Sequence, residues 1–321
     1  MILTVTLNPL LERRIVYNTI KIGSVNRNGM IEVKAGGKGI NVSRQLNNLG
    51  IENLSLTFAG GNCGREFKDV LYHEGIKSVL IHTEAKTREA LIFIEKSGGS
   101  VTSCFGYNSE ITPKEVYEFR VKLEKMIPNY EMIILSGSSP CKDTDSIFPA
   151  AIEWGNKHDK IIICDTYGDH LRDCFEASPT IIHNNIDEIE KSFNIKLQTE
   201  EEKNKFLVSL YSKNIKQAYL TDGNKPFFAS NFDYHFSIIP PSVKTIDSTG
   251  SGDAFTAGIV YGWHNDLIFE DTLKTAAALG AANASSFDVC NVKINGFEGF
   301  KTSVIINPIG KKMKLIDVKP Q

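Results

Sequence analysis

Residues 246–258, IDSTGSGDAFTAG, set the carboxylate of Asp253 among glycines and small hydroxyl residues, just where an apolar stretch begins. Glycines let a backbone approach a phosphate closely, and successive N–H groups make an anion-binding nest. At the start of a helix that nest is reinforced by the free N–H groups and by the helix dipole. Two chemistries are open to Asp253. It can be a helix cap or first-turn acid, which is common at such positions. It can also be a general base that deprotonates an attacking hydroxyl while the nest stabilises charge on a transferred phosphoryl group. Spacing alone does not choose. A second glycine-rich stretch, AGGKGIN (35–41), places Gly36, Gly37 and Gly39 around Lys38, again before a helix-like run. Neither stretch is GxxxxGK[ST], and no GxGxxG follows the first strand, so the commonest nucleotide fingerprints are absent.

The elements that must position these residues alternate regularly. ILTVTL (2–7) reads as a buried strand and KGINVSRQLNNLG (38–50) as a helix closed by a glycine. Strand-like and helix-like segments then alternate to two final helices, expected over 252–264 and 268–284. Such alternation predicts a parallel sheet with helices on both faces. In open sheets of this kind ligands bind beyond the carboxyl ends of the strands. Residues 12–34 and 88–105 break the pattern and read as hairpins, predicting a small accessory sheet over the mouth of the main one. The last twenty residues, with GKKMK, read as a loose tail.

Composition narrows the function classes. The 321 residues are 41% hydrophobic and 23% charged, with a formal net charge of −2. Nothing here calls for nucleic acid or an anionic membrane as a partner. The six cysteines show no CxxC and no metal spacing, so idle thiols in a reducing cytoplasm are expected. No secretory signal and no membrane-length apolar run is visible, and a cytoplasmic location is expected.

With both glycine stretches in view, the sequence resembles the PfkB-type carbohydrate kinases of the ribokinase superfamily, from TVTLNP to about residue 290. AGGKGINVSRQLNNLG is similar to the first family signature and DSTGSGDAFTAG to the second. The opening TVTLNPLLERR resembles the TxNPAxD opening of the tagatose-6-phosphate kinase and 1-phosphofructokinase group more than those of ribokinases and nucleoside kinases. The resemblance implies a ribokinase-like three-layer α/β/α sandwich with a small β lid. The core would comprise 1–11, 35–87 and 106–321, and the lid 12–34 and 88–105. It makes Asp253 the base, with Gly250, Ser251 and Gly252 forming the anion hole for the γ-phosphate of ATP. Lys38, Arg88 and Arg27 would grip the phosphate already on the acceptor. Glu12 and Asn41 would read its hydroxyls, and Gly36, Gly37 and Ser138 (in LSGSSP, like the family's SGSLP) would complete that site. Thr221, Gly223, Thr249 and Asn283 would meet the nucleotide, while Asp165, in a DTSGxxL-like run, reads as structural. The implied reaction is ATP- and Mg²⁺-dependent phosphorylation of a ketohexose phosphate, tagatose 6-phosphate first and fructose 1-phosphate as the alternative. A kinase for an unphosphorylated sugar, and a sensor that binds sugar phosphate without turnover, are the rival readings. The lid implies a homodimer.

Three departures from the family pattern matter. Glu12 stands where Asp is usual, moving the carboxylate by about one bond length, roughly 1.5 Å. HNNIDE (183–188) replaces KPNxxE: Asn185 and Glu188 keep the spacing that would organise Mg²⁺ through water, but His183 stands in for a phosphate-binding lysine. Histidine's ordinary pKa of about 6.5 leaves it mostly neutral at neutral pH, so weaker nucleotide binding, or an added pH dependence between about 6 and 7, is expected. Finally, SVTSCFGYNSEIT lacks the usual ExNxPGP-like segment beside the sugar.

Overall fold

A computed structural model describes residues 1–310. The large sheet contains β1 (Ile2–Thr6), β4 (Asn53–Gly60), β5 (Ser78–Thr83), β8 (Met132–Gly137), β9 (Ile161–Thr166), β10 (Ile181–Asn185) and β11 (Gln217–Thr221), all parallel. An antiparallel trio, β12 (Phe227–Asn231), β13 (Tyr234–Ile239) and β14 (Ile305–Ile309), extends one edge. The order is β14-β13-β12-β11-β10-β9-β8-β1-β4-β5. The lid is a second sheet of β2 (Leu10–Tyr17), β3 (Met30–Gly36), β6 (Arg88–Glu95) and β7 (Ser100–Phe105), ordered β3-β2-β6-β7. The two expected hairpins are therefore present, joined by parallel pairing of β2 with β6 from Leu10–Arg88 to Tyr17–Glu95.

Period-2 alternation sends each strand's side chains to two cores. Leu3, Val5, Ile133 and Leu135 pack against α3 (Pro113–Met126), α4 (Ile147–Lys157), α5 (Leu171–Glu176), α6 (Ile186–Phe193) and α7 (Glu200–Ser212). Ile2, Met132, Ile134, Ile163, Ile181 and Tyr219 pack against α1 (Lys38–Asn48), α8 (Ser251–His264) and α9 (Phe269–Ala284). A further helix, α2 (Gly61–His73), packs Phe67 and Leu71 against Leu11 of the lid, and α10 (Glu298–Lys301) lies against α9. This is the expected three-layer α/β/α arrangement with a β lid. Helices α8 and α9 lie close because Gly258 faces Ala276, whose Cα a Cβ there would meet at 2.5 Å.

Two expectations need correction. The sheet is not parallel throughout: β12 and β13 follow β11 through hairpin connections with no crossover helix, and β14, reached after α8, α9 and α10, adds antiparallel to β13. Part of the presumed loose tail, Ile305–Ile309, is a paired edge strand, where Pro308 is tolerated because an edge needs no donor on its outer side. Residues 311–321 lie outside the described residues. None of the described helices is long and apolar enough to cross a membrane, and all six cysteines are unpaired.

The chain starts at β1 in the middle of the sheet, fills β4 and β5 on one side, then resumes at β8 on the other. The switch point lies between β1 and β8, where a ligand crevice is expected. On the face covered by α1 and α8 the apolar residues give way to polar ones before the strand termini. Thr6, Ser136, Asp165, His183 and Thr221 form a polar row across five neighbouring strands, with Thr221 one step beyond the level of His183.

Candidate active site

The row lies beneath the N-termini of α1 and α8. Gly250 caps α8 with φ +75°, a left-handed conformation that favours glycine, and a Cβ there would fall 2.4 Å from Val289. The preceding turn is pinned from two sides. Asp247 Oδ1 accepts from the Thr249 N–H (2.9 Å), and Asn283 Nδ2 donates to the Thr249 carbonyl (2.8 Å) and to Ser251 Oγ (3.1 Å). The N–H groups of Gly250, Gly252 and Asp253 have no acceptor among the described residues, whereas that of Ser251 is committed to the Ser248 carbonyl at 3.1 Å. The nest thus consists of Gly250, Gly252 and Asp253, and Ser251 does not contribute its N–H as expected.

Asp253 is 4% exposed, and burial pushes its carboxyl up to about 6. Lys38 opposes that rise and Asp165 adds to it. Its Oδ2 accepts from Asn41 Nδ2 at 2.8 Å, while Asn41 Oδ1 accepts from Arg44 Nη1 at 2.7 Å. A guanidinium can only donate, so Arg44 fixes which way the Asn41 amide faces and commits its NH₂ to Asp253. Lys38 Nζ sits 2.7 Å from Asp165 Oδ1 and 3.7 Å from Glu188 Oε1. Asp165 is fully buried, accepts from Thr256 Oγ1 at 3.0 Å, and is held below the usual carboxylate range by Lys38 and His183 against the cost of burial. Two buried aspartates therefore share one lysine. Asp165 holds it and stays ionised, and Asp253 is left able to exchange a proton near neutrality.

On the lid side, Arg88 Nη1 donates to Asn108 Oδ1 (2.9 Å), which also accepts from Asn8 Nδ2 (3.1 Å). Asn8 Nδ2 in turn reaches Ser138 Oγ (3.0 Å). Arg88 and Ser138 are thus joined through Asn108, a residue of the very segment that departs from the family pattern. Arg88 has no carboxylate partner among the described residues, its Nε is buried without an acceptor, and burial disfavours its charge. Glu12 is buried, sits 3.4 Å from Arg14, and has its carboxyl raised by burial. Gly36 makes room for it, since a Cβ would lie 2.5 Å from Glu12 Oε1. Gly37 packs tightly on Thr6 at the start of α1.

A cleft of about 390 Å³ opens beside the nest, lined by His183, Thr221, Gly223, Gly252, Phe255 and the small residues of α9. His183 stacks on Phe255 (4.7 Å, 20°) and bonds Thr256 through Nδ1 (2.9 Å) and Thr221 through Nε2 (3.3 Å).

Six further residues have surroundings other than those expected. Lys38 is paired with Asp165 and faces Glu188, with its Nζ 5.4 Å from the centre of the Tyr167 ring. Arg27 is exposed in the loop between β2 and β3 and joins none of these groups. Asn283 and Thr249 do not line the cleft, because the Asn283 amide holds the loop from behind and its Oδ1 accepts from the Cys290 N–H (2.7 Å). Asn185 and Glu188 form a capping box at the start of α6, each side chain accepting from the other's N–H (2.8 and 3.0 Å). No group of three or more His, Cys, Asp or Glu side chains suited to a metal occurs among the described residues. Sequence reasoning missed Arg14, Arg44, Asp247 and the central place of Asp165. Two of them carried a signal: Arg14 shares a strand face with Glu12, and Asp247 stands within the glycine-rich stretch itself.

A glycine-capped nest of free N–H groups thus lies beside a buried aspartate at the switch point of the sheet, with the unpaired guanidinium of Arg88 on the lid side. The chain belongs to the pfkB family of carbohydrate kinases, whose model matches residues 11–294. ATP is the phosphate donor that kinases of this family use. The chain is 27% identical over 301 residues to a tagatose-6-phosphate kinase of Staphylococcus epidermidis, covering 93% of this chain and 96% of that one. It is 31% identical over 291 residues to a 1-phosphofructokinase of Borreliella burgdorferi, covering 90% and 94%. The fold matches phosphofructokinase-2 of Escherichia coli with a TM-score of 0.85 at 19% identity, covering 94% of this chain and 98% of that one.

Proposed function

We propose that the protein is an ATP-dependent phosphohexose kinase acting on the C1 hydroxyl of D-tagatose 6-phosphate, with core and lid working as one kinase domain. The observation that carries a phosphorylated acceptor is Arg88: a partly buried guanidinium with an unanswered Nε and no carboxylate partner is matched by a phosphate, which it can grip bidentately. Glu12 and Asn41 then read hydroxyls, and Asp253 takes the proton of the attacking one. The N–H groups of Gly250, Gly252 and Asp253 stabilise charge on the transferring phosphoryl, while Lys38 neutralises the surrounding carboxylates. His183, Thr221 and Gly223 line the cleft for the nucleotide. Asn185 and Glu188 would hold a hydrated Mg²⁺ through water, because magnesium keeps several waters and takes few protein ligands. Its contribution there is neutralisation of phosphate charge.

The 31% relative supports a second acceptor, fructose 1-phosphate, whose free primary hydroxyl is at C6. ADP release with Mg·ATP and each of tagatose 6-phosphate, fructose 1-phosphate, fructose 6-phosphate and unphosphorylated hexoses decides between them, with Asp253→Asn as the blank. Turnover of unphosphorylated hexoses alone, or undiminished turnover in Asp253→Asn, refutes the reading.

We also assign a homodimer through the lid. Opposite Glu12 and Arg14, its outer face carries the cross-strand row Ile31–Ile15–Phe93, with Ile31 63% exposed, and a second copy would cover this row across a two-fold axis. Sedimentation should show a dimer that Ile31→Asp converts to a monomer; a monomer in the unaltered protein sinks the assignment.

A further inference from the structure

The lid and the anion nest come from opposite parts of the chain, yet one buried guanidinium spans them. Arg14 lies on β2, and its side chain is 3% exposed. Its Nη2 donates to the Phe287 carbonyl at 2.7 Å and lies 3.4 Å from Asp247 Oδ2, while Nη1 lies 3.4 Å from Glu12 Oε2. Asp247 is the residue whose other oxygen holds the Thr249 N–H, one residue before the Gly250 cap of the nest. The ring of Phe287 packs under the lid against the cluster of Leu10, Ala90, Ile92 and Ile94. The acceptor-side carboxylate, the lid strand and the turn that shapes the nest therefore meet at Arg14.

We propose that Arg14 is a positioning residue that sets the anion nest according to the state of the lid. It fixes Asp247, and through it the Thr249–Gly250 turn, only while β2 is docked with Glu12 in place. The charge count supports this. One guanidinium faces two buried carboxylates, Glu12 through Nη1 and Asp247 through Nη2, and although Arg44 also favours ionised Glu12, the two compete for its position. Hydrogen bonds from an acceptor's hydroxyls to Glu12 would relieve that competition and release Arg14 towards Asp247, so the nest tightens when the acceptor is present. This last step rests on the proposed role of Glu12; the link from lid to nest does not.

Two measurements on the full chain separate these claims. Hydrogen exchange in the free protein reads the turn directly. Arg14→Met should speed exchange across residues 246–252 by about tenfold or more, while the amides of β8 and β9 stay protected. In steady-state kinetics with the phosphohexose the unaltered enzyme turns over, Arg14→Met should lower kcat by about 100-fold, the scale of a small misplacement at a reacting centre, with the KM for ATP within about twofold. Asp247→Asn should do the same, and the double variant should lose no more than the worse single one. Arg14→Lys, which keeps a cation and guards against misfolding, should recover part of kcat. Unchanged exchange at 246–252 overturns the proposal, as does a double variant whose losses multiply. An unaltered enzyme without turnover on any phosphohexose refutes the functional reading instead, and the exchange measurement then decides on Arg14 by itself.

Discussion

Replacing Asn41 by Leu removes the donor to Asp253 while keeping the branched shape of the side chain. A hydrogen bond to a charged group contributes about 1.5–3 kcal/mol. At about 1.4 kcal/mol per pKa unit, that is a rise of roughly one to two units. Asp253 already sits at about 6. The donor favours the ionised form, so its loss moves the carboxyl upward, to about 7–8 by the same conversion. A general base works only when ionised. The fraction ready at neutral pH then falls from about nine-tenths to between a half and a tenth, and kcat/KM should drop about two- to tenfold at pH 7. The loss should disappear towards pH 9. A pH profile of kcat/KM for the unaltered enzyme and Asn41→Leu measures this, with the acidic limb near pH 6 in the former and displaced upward in the latter. An acidic limb that stays in place while KM for the sugar rises would refute the reasoning, because Asn41 would then be a substrate contact alone.

Other outcomes test neighbouring parts of the site. Arg88→Ala should raise KM for a phosphorylated acceptor by about 10²-fold or more, since a charge-assisted pair with phosphate is lost; equal activity on sugar phosphate before and after would remove Arg88 from the acceptor site. His183→Lys should lower the KM for ATP several-fold by placing a cation in the cleft, and unchanged ATP kinetics would remove His183 from the nucleotide site. Gly250→Ala should lower both the melting temperature and kcat, because the left-handed backbone costs a side chain about 1–2 kcal/mol and Val289 stands in the way; an unaltered melting curve would contradict that.

Much of this site was legible because its chemistry is local. The nest, its base and the Lys38 turn lie in two continuous stretches, and alternation of strands and helices predicted where their ends would meet. What stayed hidden depends on tertiary pairing. The pairing of Lys38 with Asp165, 127 residues away and 2.7 Å from it, leaves no trace in the sequence. Asn283 reads as a cleft residue because its helix supplies the cleft wall, yet its own amide faces the loop behind. The Asn185 and Glu188 pair has a spacing that serves a capping box as well as a metal. The antiparallel edge was missed for a different reason: β12 and β13 are short hairpin strands with no crossover helix between them, and β14 returns to the edge only after α8, α9 and α10.

That edge has a consequence for how the chain can be shortened. β14 contributes nothing to the polar row, yet it covers β13, and with Pro308 it ends the sheet in a strand poor at recruiting another. A chain cut at residue 303 would keep every group that does chemistry and bare the ladder of β13. Such a fragment should fail by self-association before it fails as a kinase, so low yields of a truncated protein would report an unguarded sheet edge and not a damaged catalytic centre.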